Sequence, residues 1–328
     1  MNLRDNDMKK VLLASTMLVA TGGMAAADIT FNGFGRFGLY YQENDVSGAD
    51  STRVEQRFRL NIVGSATTDG GVEFGARIRL QSDENGTAGV APSTPNPTFG
   101  NGGAGLIGAP EFNVSAGGFR LDVGNTSDVI DSGDVVDYYG YGVGLTSFLE
   151  QSSGFGLPAS GFGNGGNVPP TIKGRYSAGD FTVAASYTSN SWTDSREEWQ
   201  IGAGYNFGNY SAGIAFGNED DSSGVNAVGD NDFWAASFGG TVGSVGFSLL
   251  VADSDNQDDT SYGASILVPV GASTEIIAAV SDNGVDGDDT AYGIGFRHSL
   301  GGGVSLRGGI GQNSSDQTVA DLGVIFNF

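Results

Sequence analysis

Between Arg53 and Gln81 the chain reads RVEQRFRLNIVGSATTDGGVEFGARIRLQ. Arg53, Glu55, Arg57, Arg59, Asn61, Glu73, Arg77, Arg79 and Gln81 all fall on odd positions. Val54, Phe58, Leu60, Ile62, Val72, Phe74, Ala76, Ile78 and Leu80 all fall on even ones. Arg36 stands opposite Phe31, Phe37, Leu39 and Tyr41 in the same alternating way, as do Arg120, Lys173 and Arg175 in later segments. Gathered guanidinium charge sets ion preference and orients dipolar solutes. A matching set of carboxylates, Asp128, Asp131, Asp134, Asp137 and Glu150, lies in the segment 125–170, with Asp122 leading into it. If that segment faces the arginines, a field runs across the gap between them. The plainer alternative is that the arginines pair with Glu55, Glu73 and Glu111 and only stiffen a wall.

Other acidic groups lie outside this set: Glu219-Asp220-Asp221, Asp253 and Asp255 with Asp258-Asp259, and Asp286 with Asp288-Asp289. Carboxylates at such density suit hard cations that take six to eight oxygens. Asp128, Asp131, Asp134, Asp253, Asp255, Asp286 and Asp288 are the candidate ligands for loosely bound Ca2+, although no stretch matches a twelve-residue EF-hand loop. The alternative is a solvated, self-repelling rim. No cofactor is required by anything in the chain. His298 is the one histidine, and no acyl-transfer constellation assembles around it. The glycine runs 100–105 and 161–166 lack a strand–helix context and a P-loop lysine. A net charge of −23 opposes nucleic-acid binding.

The arginines must be held by strands. A period of two sends alternate side chains to opposite faces, so the Arg53–Gln81 stretch is a hairpin about Thr67-Thr68-Asp69-Gly70 with one oily and one ionic face. A soluble sandwich would also hide its oily face, but its other face would carry assorted polar groups rather than gathered arginine. Charge on a lipid face at mid-membrane costs about 2–4 kcal/mol per Arg or Lys, so the arginines belong to a water-filled interior whose outer side meets lipid. Similar segments recur to the end of the chain, sixteen in all, the count open by two. The connections after even-numbered segments are tiny: Gly117-Gly118, Gly208-Asn209 and Gly301 to Gly303 are examples. Those after odd-numbered ones are long and polar, such as Gln42 to Thr52, Ser82 to Ala109 and Asn125 to Pro170. Short turns on one rim and long loops on the other are the arrangement of an outer-membrane barrel. Trp199 and Trp234 fall toward the loop rim, and Tyr176, Phe181, Phe207 and Tyr210 toward the turn rim, as two interfacial girdles. Ser211, Gly213, Ala215 and Gly217 share the inward parity and would leave room in the lumen.

Composition sets the bounds. Lys9 and Lys10 precede the apolar run Val11 to Ala20 and then Ala25-Ala26-Ala27, the pattern of a secretory signal peptide over 1–27, with Met8 a candidate true start. The remaining domain, 28–328, then carries 12 basic and 36 acidic residues, a balance of −24. Cysteine is absent, so the exported chain dispenses with disulfides. Glycine, at 56 residues, far exceeds the usual share of about 7%, but 10% aromatics argue against disorder. No later apolar run reaches about 18 residues, so a membrane location requires a closed barrel.

The chain resembles the Gram-negative trimeric general-diffusion porins, most nearly the alphaproteobacterial type. The likeness is carried by the start DITFNGFGRFGLYY at Asp28, the RFRL stretch at Arg57 to Leu60, the 46-residue insert 125–170, and the ending VIFNF at Phe328. The resemblance implies an all-β fold, a transmembrane antiparallel barrel of sixteen strands, with the third long loop folded inward to narrow the pore. It also implies a homotrimer among outer-membrane lipids and a terminal Phe328 read by the outer-membrane assembly machinery. The PEFG motif of enteric porins is missing from the insert. The expected function is passive diffusion of ions and small hydrophilic solutes, with a weak cation preference from the acidic mouth. A substrate-specific channel and a structural or adhesive barrel without an open pore are the rivals.

Overall fold

In the computed structural model, residues 28–43, 50–83, 106–163, 170–189, 196–221 and 229–328 are described. The signal-peptide reading of 1–27 and the glycine run 100–105 lie outside them. Sixteen strands follow one another: β1 (Asp28–Gln42), β2 (Thr52–Thr67), β3 (Glu73–Asp83), β4 (Glu111–Ala116), β5 (Phe119–Gly124), β6 (Thr171–Ala178), β7 (Phe181–Ser189) and β8 (Arg196–Phe207). The second half comprises β9 (Tyr210–Asp221), β10 (Gly229–Val242), β11 (Val245–Ser254), β12 (Ser261–Pro269), β13 (Thr274–Asp282), β14 (Ala291–Gly301), β15 (Val304–Gln312) and β16 (Thr318–Asn327). A two-residue ladder at Leu106–Ile107 extends β4 upward along β3.

Every neighbour pairs antiparallel, and β1 pairs with both β2 and β16, which closes the sheet. Closure leaves no open edge, the condition for strands to cross lipid. Tight turns need backbones that ordinary residues avoid, and the two-residue turn after β4 places Gly117 and Gly118 at φ 58° and 84°. The ladders of β8, β9 and β10 run further toward the long-loop rim than the oily alternation suggests. There, Glu219 to Asp221 pair with Asn231, Asp230 and Gly229 above the apolar band.

The expected parity holds around the barrel. On the outer face Val54, Phe58, Phe112, Ile172, Ile201, Leu249, Ile294 and Leu322 are 46% to 61% exposed. So continuous an oily exterior belongs in hydrocarbon. At the turn rim Tyr205, Phe207, Tyr210, Phe238 and Phe247 stack in a chain of ring contacts.

The dry core lies inside the barrel, between the wall and the segment that follows β5. Val129, Ile130, Val135 and Val136 of that segment pack on Ala184, Ala215, Phe233, Ala235, Leu250 and Ala252. A second cluster joins Val143 and Leu149 to Ile277, Ala279 and Ala291. Here the inward small residues find their role. A Cβ on Gly213 would overlap the carbonyl oxygen of Val135, and one on Gly202 would lie 2.7 Å from Val135 Cγ2. Ser211, Gly213, Ala215 and Gly217 were expected to widen the lumen; Gly213 and Ala215 instead make space for the loop.

Candidate functional site

The loop is held by a circuit of small polar side chains that point inward from successive strands. Ser186 (β7) and Gln200 (β8) accept from the amides of Val129 and Ile130 at 3.3 and 2.9 Å. Ser237 (β10) accepts from the Asp137 amide at 2.8 Å, and Ser265 (β12) from the Tyr141 amide at 2.9 Å. Ser281 (β13) donates to the Ser153 carbonyl at 2.7 Å. Asp321 (β16) accepts from the Leu145 amide at 2.8 Å. A loop buried in a barrel has backbone groups that water cannot reach, and these side chains satisfy them. In the sequence each of these serines fits an ordinary polar lumen, and only the fold shows that the backbone of the loop returns to them.

With the loop laid along β6–β16, the arginines of β1–β5 face it across the remaining space. Arg36 pairs with the buried Glu55 at 2.6 Å. Arg77 pairs with Glu111 at 2.8 Å, and Arg120 with Asp122 at 2.7 Å and Glu111 at 3.8 Å. Arg59 donates to Gln81 at 2.6 Å, and Arg79 to Asn61 at 3.0 Å. Arg53 lies 4.0 Å above the Tyr40 ring, and Arg57 stands directly across from Arg36 in the β1–β2 register. On these five strands seven arginines, at 36, 53, 57, 59, 77, 79 and 120, meet three buried carboxylates, Glu55, Glu111 and Asp122. Asp28, Glu73 and Asp83 lie on the same strands, so arginine outnumbers carboxylate there by one, and both sequence alternatives describe part of the set: some arginines brace the wall, and the guanidiniums are gathered along it.

The loop's far end closes onto this wall. Arg77 and Arg79 sit 3.6 and 4.6 Å from the centre of the Phe162 ring, and Arg79 donates to the Phe162 carbonyl at 2.8 Å.

The six acidic candidates divide. Asp122 sits on the wall itself. Asp134 is spent on Lys173, at 2.9 Å, and on Arg175. Burial pushes the Asp134 carboxyl up, but these two cations outweigh burial and hold it below its ordinary value. Lys173 and Arg175, placed by parity on the basic wall, thus anchor the loop. Parity gives the face of a strand and cannot foresee that a distant segment returns to cover it. Asp128 is fully buried and accepts from the amides of Asp131, at 2.7 Å, and of Ser160. Burial, helped by Glu198, holds it well above the usual carboxylate range. Asp131, Asp137 and Glu150 keep access to solvent. Tyr139 donates to Asp131 at 2.6 Å, and Ser248 to Asp137 at 2.7 Å. The Glu150 carboxyl is pushed up to about 7 by burial, against the pull of Arg297 and with a further push from Asp131.

The calcium candidates do not converge. Asp253 accepts from Thr260 at 3.0 Å, Asp255 from the Asp232 amide at 3.3 Å, and Asp288 from Asn283 at 2.7 Å. The Asp286 amide donates to Asp258 at 2.8 Å. Among the described residues no group of three or more carboxylate or histidine side chains is placed to hold a metal. His298 faces outward beside Thr274, with Nδ1 2.8 Å from the hydroxyl. Phe328 stacks on Phe58 at 5.6 Å, and its amide donates to the Gly33 carbonyl at 3.1 Å.

A closed sixteen-stranded barrel with an oily exterior, a charged interior and a loop laid inside it is an outer-membrane channel. The chain belongs to the Gram-negative porin family, whose profile matches residues 14–318. The porin of Fuscovulum blasticum is 32% identical over 314 residues, covering 92% of this chain and all of that one. The porin of Rhodobacter capsulatus is 26% identical with the same coverage. Among solved structures, a triple mutant of the Rhodopseudomonas blastica porin superposes with a TM-score of 0.73 at 28% identity, covering 92% of this chain and all of the other. A second mutant of that porin gives a TM-score of 0.72 with the same identity and coverage. The protein is thus a multi-pass barrel of the outer membrane, and it provides passive diffusion across it.

Proposed function

We propose that ions and small hydrophilic solutes pass this barrel through an aperture crossed by a transverse field. The field runs from the arginines of β1–β5 to Asp131, Asp137 and Glu150 of the loop. The supporting observation is the course of the loop: it is fastened to β6–β16, so the gathered arginines and the solvent-accessible loop carboxylates stand on opposite sides of the opening. Preorganised charges on either side of a narrow wet passage orient dipolar solutes and set ion preference. The acidic rim of Asp230, Asp232, Asp253, Asp255 and Asp286 concentrates cations at the mouth, giving a weak cation preference, and attracts divalent ions such as Ca2+ without a built cage.

The functional unit is a homotrimer, a reading supported by the family alone. Phe328 acts as the recognition end for the assembly machinery, consistent with its half-exposed outward ring. Transport of this kind needs no bond chemistry, and no catalytic role is assigned to His298.

The test is the reversal potential of the purified protein in a planar bilayer under a salt gradient. In Arg57→Gln/Arg59→Gln it should shift toward greater cation preference; an unchanged potential rejects the field.

A further inference from the structure

Arg297 on β14 and Arg307 on β15 both point into the lumen, and the register sets them directly opposite each other. They lie just below the loop on the side of the short turns: Gly295 and Gly309, two positions further from the turn, abut Val143 and Gly144. Like charges placed directly across from one another in a sheet are destabilising. Elsewhere on the wall Arg36, Arg77, Arg120, Lys173 and Arg175 each have a carboxylate at ion-pair distance. Among the described residues Arg297 and Arg307 have none. Arg297 donates from Nη2 to the Gly142 carbonyl at 3.1 Å, while its Nε is buried without an acceptor. Arg307 donates from Nε to Ser305 Oγ at 3.1 Å. Glu275, across from Arg297 on β13, and Glu150 attract Arg297 only at longer range.

Two adjacent guanidinium forks with spare donors, lining the lumen with no carboxylate at ion-pair distance, form a receptor for a multivalent oxyanion. Such a group accepts several N–H bonds at once, and Arg presents them in a rigid plane. We propose that Arg297 and Arg307 bind a phosphate group, free or carried by a small solute, on the turn side of the constriction. The site is separate from the arginines of β1–β5. An anion arriving from the loop side must first pass the acidic rim, whereas one arriving from the turn side meets this pair before the loop.

The experiment uses single channels of the intact protein in a constant chloride background, with inorganic phosphate added as the probe. Saturable reduction of the current is expected, and Arg297→Gln/Arg307→Gln should raise the half-blocking concentration by about tenfold, the equivalent of one strong charged contact. Arg307→Lys, which keeps the charge and loses the fork, should give an intermediate value. Calorimetry on the wild-type protein in detergent supplies a reading independent of the variants, with one phosphate bound per chain expected. Absence of a saturable block in the wild type, or a block that persists in the double variant, overturns the proposal, as does calorimetry without binding. Neither readout depends on Arg57 or Arg59, so this site and the transverse field fail separately.

Discussion

Thr146 at the inner tip of the loop donates both its backbone amide and its hydroxyl to the same oxygen of Asp321, each at 2.8 Å. The Leu145 amide donates to the other oxygen, so one carboxylate of β16 holds the loop at its furthest reach from β5. Hydrogen bonds to a charged acceptor contribute about 1.5–3 kcal/mol each. Asp321→Ala should therefore free the tip while the barrel stays closed, because the strand ladders do not use that side chain. The expected result is a larger and noisier single-channel conductance with unchanged heat-dependent mobility of the folded barrel on a gel. A conductance equal to wild type shows that the tip needs no such tether.

Gly213 tests the close approach of loop to wall. A Cβ there would overlap the Val135 carbonyl oxygen, and a polar backbone atom on a packed segment has nowhere to yield. Gly213→Ala should lift the loop from β9 and raise conductance, and should increase proteolysis within 125–163. Gly64→Ala is the matched control, since a Cβ at Gly64 meets nothing within 4 Å. Equal behaviour of the two variants counts against the packing described.

Phe162 carries the closure of the loop onto the basic wall. Its ring lies under two guanidiniums, and each such contact is worth about 0.5–2 kcal/mol depending on solvation. Phe162→Ala should widen the opening between β3 and the loop, so that larger neutral sugars pass faster in liposome swelling. Phe162→Tyr, which keeps the ring face, should behave as wild type. Faster passage in both, or in neither, argues against the ring as a clasp.

How far the sequence foretold this arrangement can be traced residue by residue. The barrel was legible because its code is local: Val54, Phe58 and Leu60 alternate with Arg53, Arg57 and Arg59, and a period of two needs no knowledge of distant contacts. The two rims were legible from Gly117-Gly118 against the insert 125–170, since turn length is written directly in the chain. Lys173 and Arg175 were given the right face but not the right surroundings, because Asp134 reaches them from 39 and 41 positions away. Asp128 read as one more acid of the loop, whereas burial against Glu198 sets it apart. Ser186, Ser237 and Ser265 carried no signal at all. A serine facing water and a serine bonding a buried amide look alike until the fold brings the loop backbone against them.

Glu150 gives the channel a pH dependence near neutrality. Its carboxyl is raised to about 7, chiefly by burial, so the folded protein binds this proton more tightly than the unfolded chain. The sign follows by linkage: the contribution to stability is fully present below the ordinary value of 4.5 and is lost as pH rises through about 7. The consequence for transport runs in the same window. Above pH 7 the ionised carboxylate adds a negative charge to the loop side of the opening, and below it that charge is gone. Cation preference, read from the reversal potential in a salt gradient, should fall as pH is lowered from 8 to 6, with its midpoint near 7. Glu150→Gln should hold the low-pH preference at every pH in that range. An inflection that persists in Glu150→Gln assigns the titration to another group and removes Glu150 from the field.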